Sequence, residues 1–362
     1  MPDKIRVAIV GTGGTARRST AVFAQEPDAE LVALADPAPA RRDRAFEGVE
    51  DSRDSVKEYD DYKTMLDECE LDAVFLGLPT FMHAAVTEEM LERGLHVICE
   101  KPPTNTAAEI ARIAKSATDK KRVYMFVRQE RFTPALQHGR QLVRDGALGE
   151  VYYAETRYVR CRWSSGKGWR HDKDQGGGVL LDLGIHAIDA AWFVMGCPRP
   201  VEVSAALYCK FTDYAPDGVV YTADDAATGM IRFENGCMLH FMTAFSLNFA
   251  GREATAAGEE EADAVLKPRQ RVLNLYGTKA GLENGRLAVG TRTGVRIVPN
   301  APGAAGGDAV TLQAREFLRA IRENDEPLNS ADQAVMLMQI LEGAVLSSET
   351  GRAVRLEAGG LQ

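Results

Sequence analysis

A short β-branched run, Ile5 to Val10, ends directly on Gly11-Thr12-Gly13-Gly14-Thr15-Ala16, and no other stretch of the chain restricts its fold as much. Glycines at this spacing permit a tight strand-to-helix turn and let the main chain approach an anion. The helix opening there turns its amide N–H groups and positive dipole end toward that anion. On its own the pattern is weak evidence, because a turn without a ligand uses the same glycines. Asp36, at the end of the next apolar run and roughly 20 residues on, supplies the second half of the signature. A carboxylate there accepts hydrogen bonds from ribose hydroxyls and repels a 2′-phosphate. Together these residues predict a dinucleotide site with a preference for NAD over NADP, with Arg41 and Arg42 nearby as the counterweight.

The next hundred residues keep the same alternation. Strands are expected at Ile5 to Val10, Leu31 to Asp36, Ala73 to Leu78, His96 to Cys99 and Val123 to Val127. Helices are expected at Tyr62 to Asp67, His83 to Arg93 and Thr106 to Thr118, the last opened by the capping box Thr106-x-x-Glu109. This is the pattern of an α/β Rossmann domain, a doubly wound parallel sheet over residues 1–127 that presents ligands at the carboxyl ends of its strands. Residues 128–362 read as a second, α+β domain. A helix from Pro134 to Arg144 leads into long strands at Val151 to Arg162, Pro200 to Phe211, Ala226 to Phe233, Met238 to Leu247 and Val272 to Tyr276. Such strands favour an antiparallel sheet, and Glu234-Asn235-Gly236 is its clearest hairpin signal. One helix, Asp182 to Met195, interrupts them and is closed by Gly196. Gly251 to Gln270 reads as an excursion between strands, and Pro299 to Gly307 as a linker. Two C-terminal helices within 310–349 follow, the second capped by Ser330-x-x-Gln333, and they are expected to pack back on the first domain.

Length and charge narrow the function classes. A chain of 362 residues exceeds what one core usually serves, so two are expected. A net charge of -9 repels phosphate backbones and anionic lipid, which argues against nucleic acid and membrane partners. Arg17-Arg18 and Arg41-Arg42 read as solvated helix faces. The six cysteines are scattered without a Cys-x-x-Cys pair, which suits a reducing compartment, and the first apolar run is too brief for a signal-peptide core. No later segment reads as a membrane span, so a cytoplasmic protein is expected.

Two further elements carry chemistry. Glu100-Lys101-Pro102 stands at the carboxyl end of a predicted strand. A glycine run, Gly176-Gly177-Gly178, leads flexibly into a helix that stacks Asp182 and His186 on one face, four residues apart, with Asp189 a turn further on. A neutral imidazole suits the acceptance of a proton from a carbinol, an ammonium suits the stabilisation of the oxygen left behind, and Asp182 can orient either group or merely cap the helix. Asp189 is expected to be structural.

With these elements in hand, the chain resembles the glucose-fructose oxidoreductase and inositol dehydrogenase family, Gfo/Idh/MocA. The resemblance rests on the fingerprint, Glu100-Lys101-Pro102, Arg131-Phe132, the triple glycine with Asp182-x-Gly-x-His186, and the C-terminal helices, and it spans nearly the full length. It implies a Rossmann domain followed by an open-faced sheet, a homodimer or homotetramer formed through that sheet, and an NAD-dependent oxidoreductase acting on a small sugar or cyclitol. Lys101, Asp182 and His186 then match the family's catalytic residues. Further cofactor contacts fall on Leu78, Pro79, Thr80, His83, Glu100, Lys101 and Gln129, with Thr80 standing where the family more often has Asn. Arg131, Tyr158, Arg160 and Trp169 are substrate candidates, Arg162 and Arg170 neighbours of them, and Trp163 part of a variable substrate loop. Three rivals follow from the same residues: an NAD-retaining glycoside hydrolase, a non-catalytic sugar sensor, and a metalloenzyme using Asp182, His186 and His171. The last lacks a second ligand-rich cluster, and no metal is expected.

Overall fold

Six parallel strands make the first sheet: β1 (Ile5–Val10), β2 (Ala29–Ala35), β3 (Lys57–Tyr59), β4 (Ala73–Leu76), β5 (His96–Cys99) and β6 (Tyr124–Phe126), in the order β3-β2-β1-β4-β5-β6. The computed structural model describes residues 4–162, 168–214, 218–249, 269–298, 307–357 and 360–361. The chain divides into two units, Met1–Thr133 with Gly306–Met338, and Pro134–Ala305 with Gln339–Gln362. The first unit thus runs past residue 127 and takes back a C-terminal segment. The central strand β4 is buried at every residue, as expected where both faces are covered, and so is the edge strand β6. Five helices accompany this sheet: α1 (Ala16–Gln25), α2 (Pro39–Ala45), α3 (Tyr62–Glu68), α4 (Thr80–Glu92) and α5 (Ala107–Asp119). The capping box of α5 forms as read, with Glu109 N–H donating to Thr106 Oγ1 at 3.2 Å and Thr106 N–H to Glu109 Oε2 at 3.0 Å.

In the same unit lies a later helix, α8 (Ala309–Glu323), whose Ala314, Phe317 and Leu318 share one apolar core with Ile5, Phe23 and Phe75. Asp308 caps α8 by accepting from Val310 and Thr311 N–H. The strand order reverses between β1 and β4, so the ligand crevice of a doubly wound sheet opens beyond their carboxyl ends.

The second unit opens with α6 (Pro134–Arg144) and carries the rest of the strands: β7 (Val151–Arg160), β8 (Pro200–Tyr208), β9 (Ala226–Phe233), β10 (Met238–Ala244), β11 (Arg269–Gly277), β12 (Ala280–Glu283), β13 (Arg286–Thr291), β14 (Gly294–Val298), β15 (Val354–Glu357) and β16 (Gly360–Leu361). They form one ten-stranded sheet. The sheet is mostly antiparallel, as expected, and two of its features were not read from the sequence. β10 lies parallel to β7, from Met238 opposite Tyr153 to Ala244 opposite Val159. β12 to β14 extend the sheet as a meander that begins at Asn284-Gly285, whose φ values of 47° and 86° are those of a tight hairpin turn. The expected hairpin between β9 and β10 is present, with Gly236 at φ 83° and its N–H donating to Phe233 O at 2.9 Å.

A helix, α7 (Ile185–Val194), packs on one face of β7, where Thr156 Oγ1 donates to Ala187 O at 3.1 Å. A last helix, α9 (Ala331–Thr350), has Ser347 and Ser348 accepting from the Ala205 and Leu207 amides of β8. The stretch Lys173–Val194 is long and apolar enough to cross a membrane, contrary to expectation, but 89% of that window is buried within the fold. The segment is thus core. Most of the excursion and linker read at 251–270 and 299–307 lies outside the described residues.

Candidate active site

The turn after β1 is built by close approach. Gly11 has φ +82°, and a Cβ there would stand 2.8 Å from Gly77 O; a Cβ on Gly77 would meet the Cβ of Ala16 at 2.6 Å. Gly77 is therefore the third small residue of the turn. Sequence reasoning missed it, although a glycine placed directly after a buried strand was the available signal. Gly13 and Gly14 face open space, and Thr15, which precedes α1, places no side-chain cap on the first helical amides. The Arg17 and Arg18 amides donate to Gly13 O at 3.1 Å and Thr15 O at 3.2 Å, which leaves an anion to the turn that precedes them.

Thr12 and Asp36 are both buried and joined, Thr12 N–H donating to Asp36 Oδ2 at 2.9 Å. The other carboxylate oxygen accepts from Ala38 N–H at 2.9 Å, and Arg41 stands 3.8 Å away. Asp36 is therefore not the cap of α2, whose cap position is Ala38. Thr12 Oγ1, in the glycine turn, is among the buried polar atoms of this unit that have no hydrogen-bond partner in the protein, as are Asn105 Oδ1 and Gln129 Oε1. An unmet hydroxyl in the glycine turn, on a residue bonded to the ribose-side carboxylate, fits a dinucleotide, whose pyrophosphate and hydroxyls supply what it lacks.

Beyond β4, Leu78 and Pro79 lead into α4, whose first residue Thr80 is buried. His83 is also fully buried, its Nδ1 lying 2.7 Å from Pro102 O and its Nε2 2.9 Å from Leu78 O. Both ring nitrogens are engaged by main chain, which corrects its assignment as a direct cofactor contact. Glu100 is buried, and Lys101 is half-buried with its amide donating to Glu100 Oε2 at 3.1 Å. Arg131 is corrected as well. It has no solvent exposure, lies 5.4 Å from the Phe126 ring, and donates to Leu328 O at 3.2 Å and to the side chain of Gln333. Its guanidinium is spent on joining the end of β6 to the C-terminal helices, and it is out of a substrate's reach. Gln333 N–H also donates to Ser330 Oγ at 3.4 Å, the cap read from the sequence.

In the second unit the glycine run is packed rather than flexible. Gly177 N–H donates to Asp172 O at 2.9 Å and Gly178 N–H to Arg170 O at 3.0 Å. Gly178 sits at φ +111°, and a Cβ there would lie 2.1 Å from Asp224 Oδ1. Asp224, unmarked by any sequence motif, accepts from Leu180 N–H at 2.8 Å through its carboxylate and from Val179 N–H at 2.9 Å through its carbonyl. Burial pushes its carboxyl up to about 6, against the pull of the Leu180 amide.

The turn fixed in this way, Leu180–Gly184, is π-helical rather than the first turn of a regular helix. It carries Asp182, and His186 follows on the first turn of α7. Arg170 Nη1 stands 3.4 Å from Asp182 Oδ2. His186 lies edge-on to Tyr158 of β7, centroids 6.5 Å apart. The guanidinium of Arg271 lies 4.2 Å and that of Arg160 5.5 Å from the same tyrosine ring, and Arg160 also donates to the Tyr158 hydroxyl at 3.2 Å. Trp169 lies on a short turn with Arg170 5.3 Å from its ring. Arg162 donates to the Asn248 side chain and to the carbonyls of Cys161 and Leu247. His171 is buried against Tyr221, at 4.7 Å, and Asp189 is buried as expected of a structural residue. Trp163 lies outside the described residues.

Fold and crevice define a dinucleotide-binding oxidoreductase. Residues 5–128 match the family model of an oxidoreductase family with an NAD-binding Rossmann fold, and residues 136–283 match the GFO/IDH/MocA C-terminal domain. The chain belongs to the Gfo/Idh/MocA oxidoreductase family, and its first unit is an NAD-binding Rossmann fold. It is 29% identical to D-glucoside 3-dehydrogenase of Escherichia coli over 97% of both chains. It is 28% identical to D-xylose 1-dehydrogenase (NADP(+)) 2 of Haloferax volcanii, over 96% of this chain and 99% of that one. Among solved structures, levoglucosan dehydrogenase in complex with NADH and L-sorbose superposes with a TM-score of 0.81 at 21% identity, covering 98% of this chain and 99% of that one. Aldose-aldose oxidoreductase from Caulobacter crescentus, complexed with glycerol, gives 0.79 at 24%, covering 98% and 100%. These two likenesses speak to the fold.

Proposed function

We propose that this oxidoreductase is an NAD-preferring dehydrogenase that moves a hydride between a ring hydroxyl, or the matching keto group, of a sugar, sugar derivative or cyclitol and nicotinamide, with Lys101, Asp182 and His186 carrying the chemistry. The observation that carries this reading is on α7: nine of its ten residues are buried, and His186 alone keeps access to solvent. An accessible imidazole on an otherwise buried helix, beside Tyr158 and just after Asp182, has the setting of a proton acceptor rather than of packing.

NAD, when bound, supplies the acceptor for the two electrons that leave the carbinol carbon. His186, neutral, takes the hydroxyl proton. Lys101 holds the same oxygen and stabilises the negative charge that develops on it. Asp182, braced by Arg170, accepts a hydrogen bond from a neighbouring hydroxyl and fixes the ring's orientation. Tyr158, Arg160 and Trp169 are assigned to the substrate, and Arg271 joins them. The turn from Gly11 to Ala16 holds the pyrophosphate, Asp36 the adenosine ribose, and Leu78, Pro79, Thr80, Glu100 and Gln129 the remainder of the cofactor. The relatives' names, a glucoside and a pentose dehydrogenase, support the substrate class.

The test is a panel of cyclitols, aldoses, keto sugars and methyl glucosides offered with NAD or NADH, read at the NADH absorbance band. The reading expects at least one to be oxidised or reduced. Release of nitrophenol from nitrophenyl glycosides without net NADH change, and no redox turnover of any panel member, would replace it with NAD-retaining hydrolysis.

A further inference from the structure

His83 spans two adjacent loops. Its Nε2 faces Leu78 O in the loop after β4, and its Nδ1 faces Pro102 O in the loop after β5, strands that are neighbours in the sheet. Burying an imidazole costs a few kcal/mol unless its polar atoms are bonded, so a residue kept only to fill space under α4 would be apolar. A neutral imidazole has one N–H, however, and here two carbonyls compete for it. The shorter contact, 2.7 Å, is to Pro102. Desolvation lowers the ring's protonation range, against the pull of the Pro102 and Leu78 carbonyls.

The Pro102 carbonyl matters because of what precedes it. Lys101 is the residue before it, and neither Pro102 nor Pro103 offers an N–H through which the loop could be tied to the sheet. Lys101's own amide donates one residue back, to Glu100 Oε2 at 3.1 Å. Among the described residues, the His83 contact is thus a long-range main-chain anchor directly after the lysine.

We propose that His83 is a positioning residue: by donating Nδ1–H to Pro102 O it fixes the main chain that carries the Lys101 ammonium. This rests on the assignment of Lys101 to the chemistry, and the experiment separates the two. In the full-length protein, His83→Asn places an amide N–H near the Nδ1 position, His83→Gln places one near Nε2, and His83→Leu removes both. Hydrogen–deuterium exchange of the peptide spanning Glu100 to Asn105 reports the loop without need of turnover. NAD titration reports the cofactor site, and kcat is read on the best substrate of the panel, with Lys101→Ala alongside.

The expected result is that His83→Asn keeps exchange and kcat within about threefold of wild type. His83→Gln and His83→Leu should speed exchange and lower kcat at least tenfold, all three with NAD affinity within about threefold. Equal behaviour of the Asn and Gln variants, whether near wild type or impaired, overturns the proposal, and that comparison stands even where the Leu variant fails to fold. Retained turnover in Lys101→Ala sinks the assignment of the lysine itself. Loss there together with an unimpaired Gln variant sinks only the role of His83.

Discussion

Asp36 shows how a single carboxylate can be read correctly for type and incompletely for setting. The sequence places it at a strand end after a glycine turn, which is enough to mark a ribose ligand. The structure adds that both its oxygens already hold main-chain amides, of Thr12 and Ala38, with Arg41 3.8 Å off. The carboxylate is therefore fixed before any nucleotide arrives, while lone pairs remain for hydroxyls. Asp36→Ala should lower the NAD to NADP ratio of kcat/KM at least tenfold, about 1.4 kcal/mol, because it removes the charge that repels a 2′-phosphate and leaves Arg41 to attract one. An unmoved ratio would reduce Asp36 to a brace for the turn. His83 and Arg131 were misplaced for one common reason. A sequence states that a side chain can donate but not what surrounds it, and both donors turned out to be used up inside the first unit.

At the scale of elements, legibility followed the locality of the signal. β1 to β6, apart from the short and largely exposed β3, could be read because buried parallel strands are continuous apolar runs separated by helical periods. The β9–β10 hairpin could be read from Asn235-Gly236. Asn284-Gly285 gave the same signal for β12 and β13, but Arg286, Arg292 and Arg296 make the meander too polar to stand out as strands. The parallel pairing of β7 with β10 joins segments some eighty residues apart, and nothing local encodes it. Nor does the period of α7 announce the π-turn before it, which depends on Asp224 about forty residues away.

That dependence makes a prediction. The folded carboxyl of Asp224 titrates at about 6, above its free value of 3.8, so the folded state holds this proton more tightly than the unfolded chain does. Its contribution to stability is complete below about pH 4 and is lost as pH rises through about 6. Asp224→Asn keeps an acceptor for Leu180 N–H and cannot ionise. Its Tm should therefore fall less than the wild-type Tm between pH 4 and 7. Parallel Tm curves would show that the carboxylate is stabilised in some other way.

Across the molecule, two cores and a change from parallel to mostly antiparallel sheet were legible from the switch in strand length and turn chemistry after residue 127. The return of 306–338 to the first unit was expected only in outline. The face of the large sheet opposite α7 carries exposed Met230 and the stacked pair Tyr153 and Tyr276, at 5.7 Å. The homodimer or homotetramer expected from the sequence would form through this sheet. Light scattering should then give a dimer or tetramer for the wild type and a smaller species for Met230→Asp; a monomeric wild type would refute the pairing.

The assignment of Lys101 and His186 to one chemical step is tested most directly by single-turnover formation of NADH, with enzyme in excess over the best panel substrate and NAD saturating. Lys101→Ala and His186→Ala should each slow that step by about 10²–10⁴-fold, with NAD affinity measured by direct titration within about threefold of wild type. A rate near wild type in either variant, with the protein folded and NAD bound, would contradict the account.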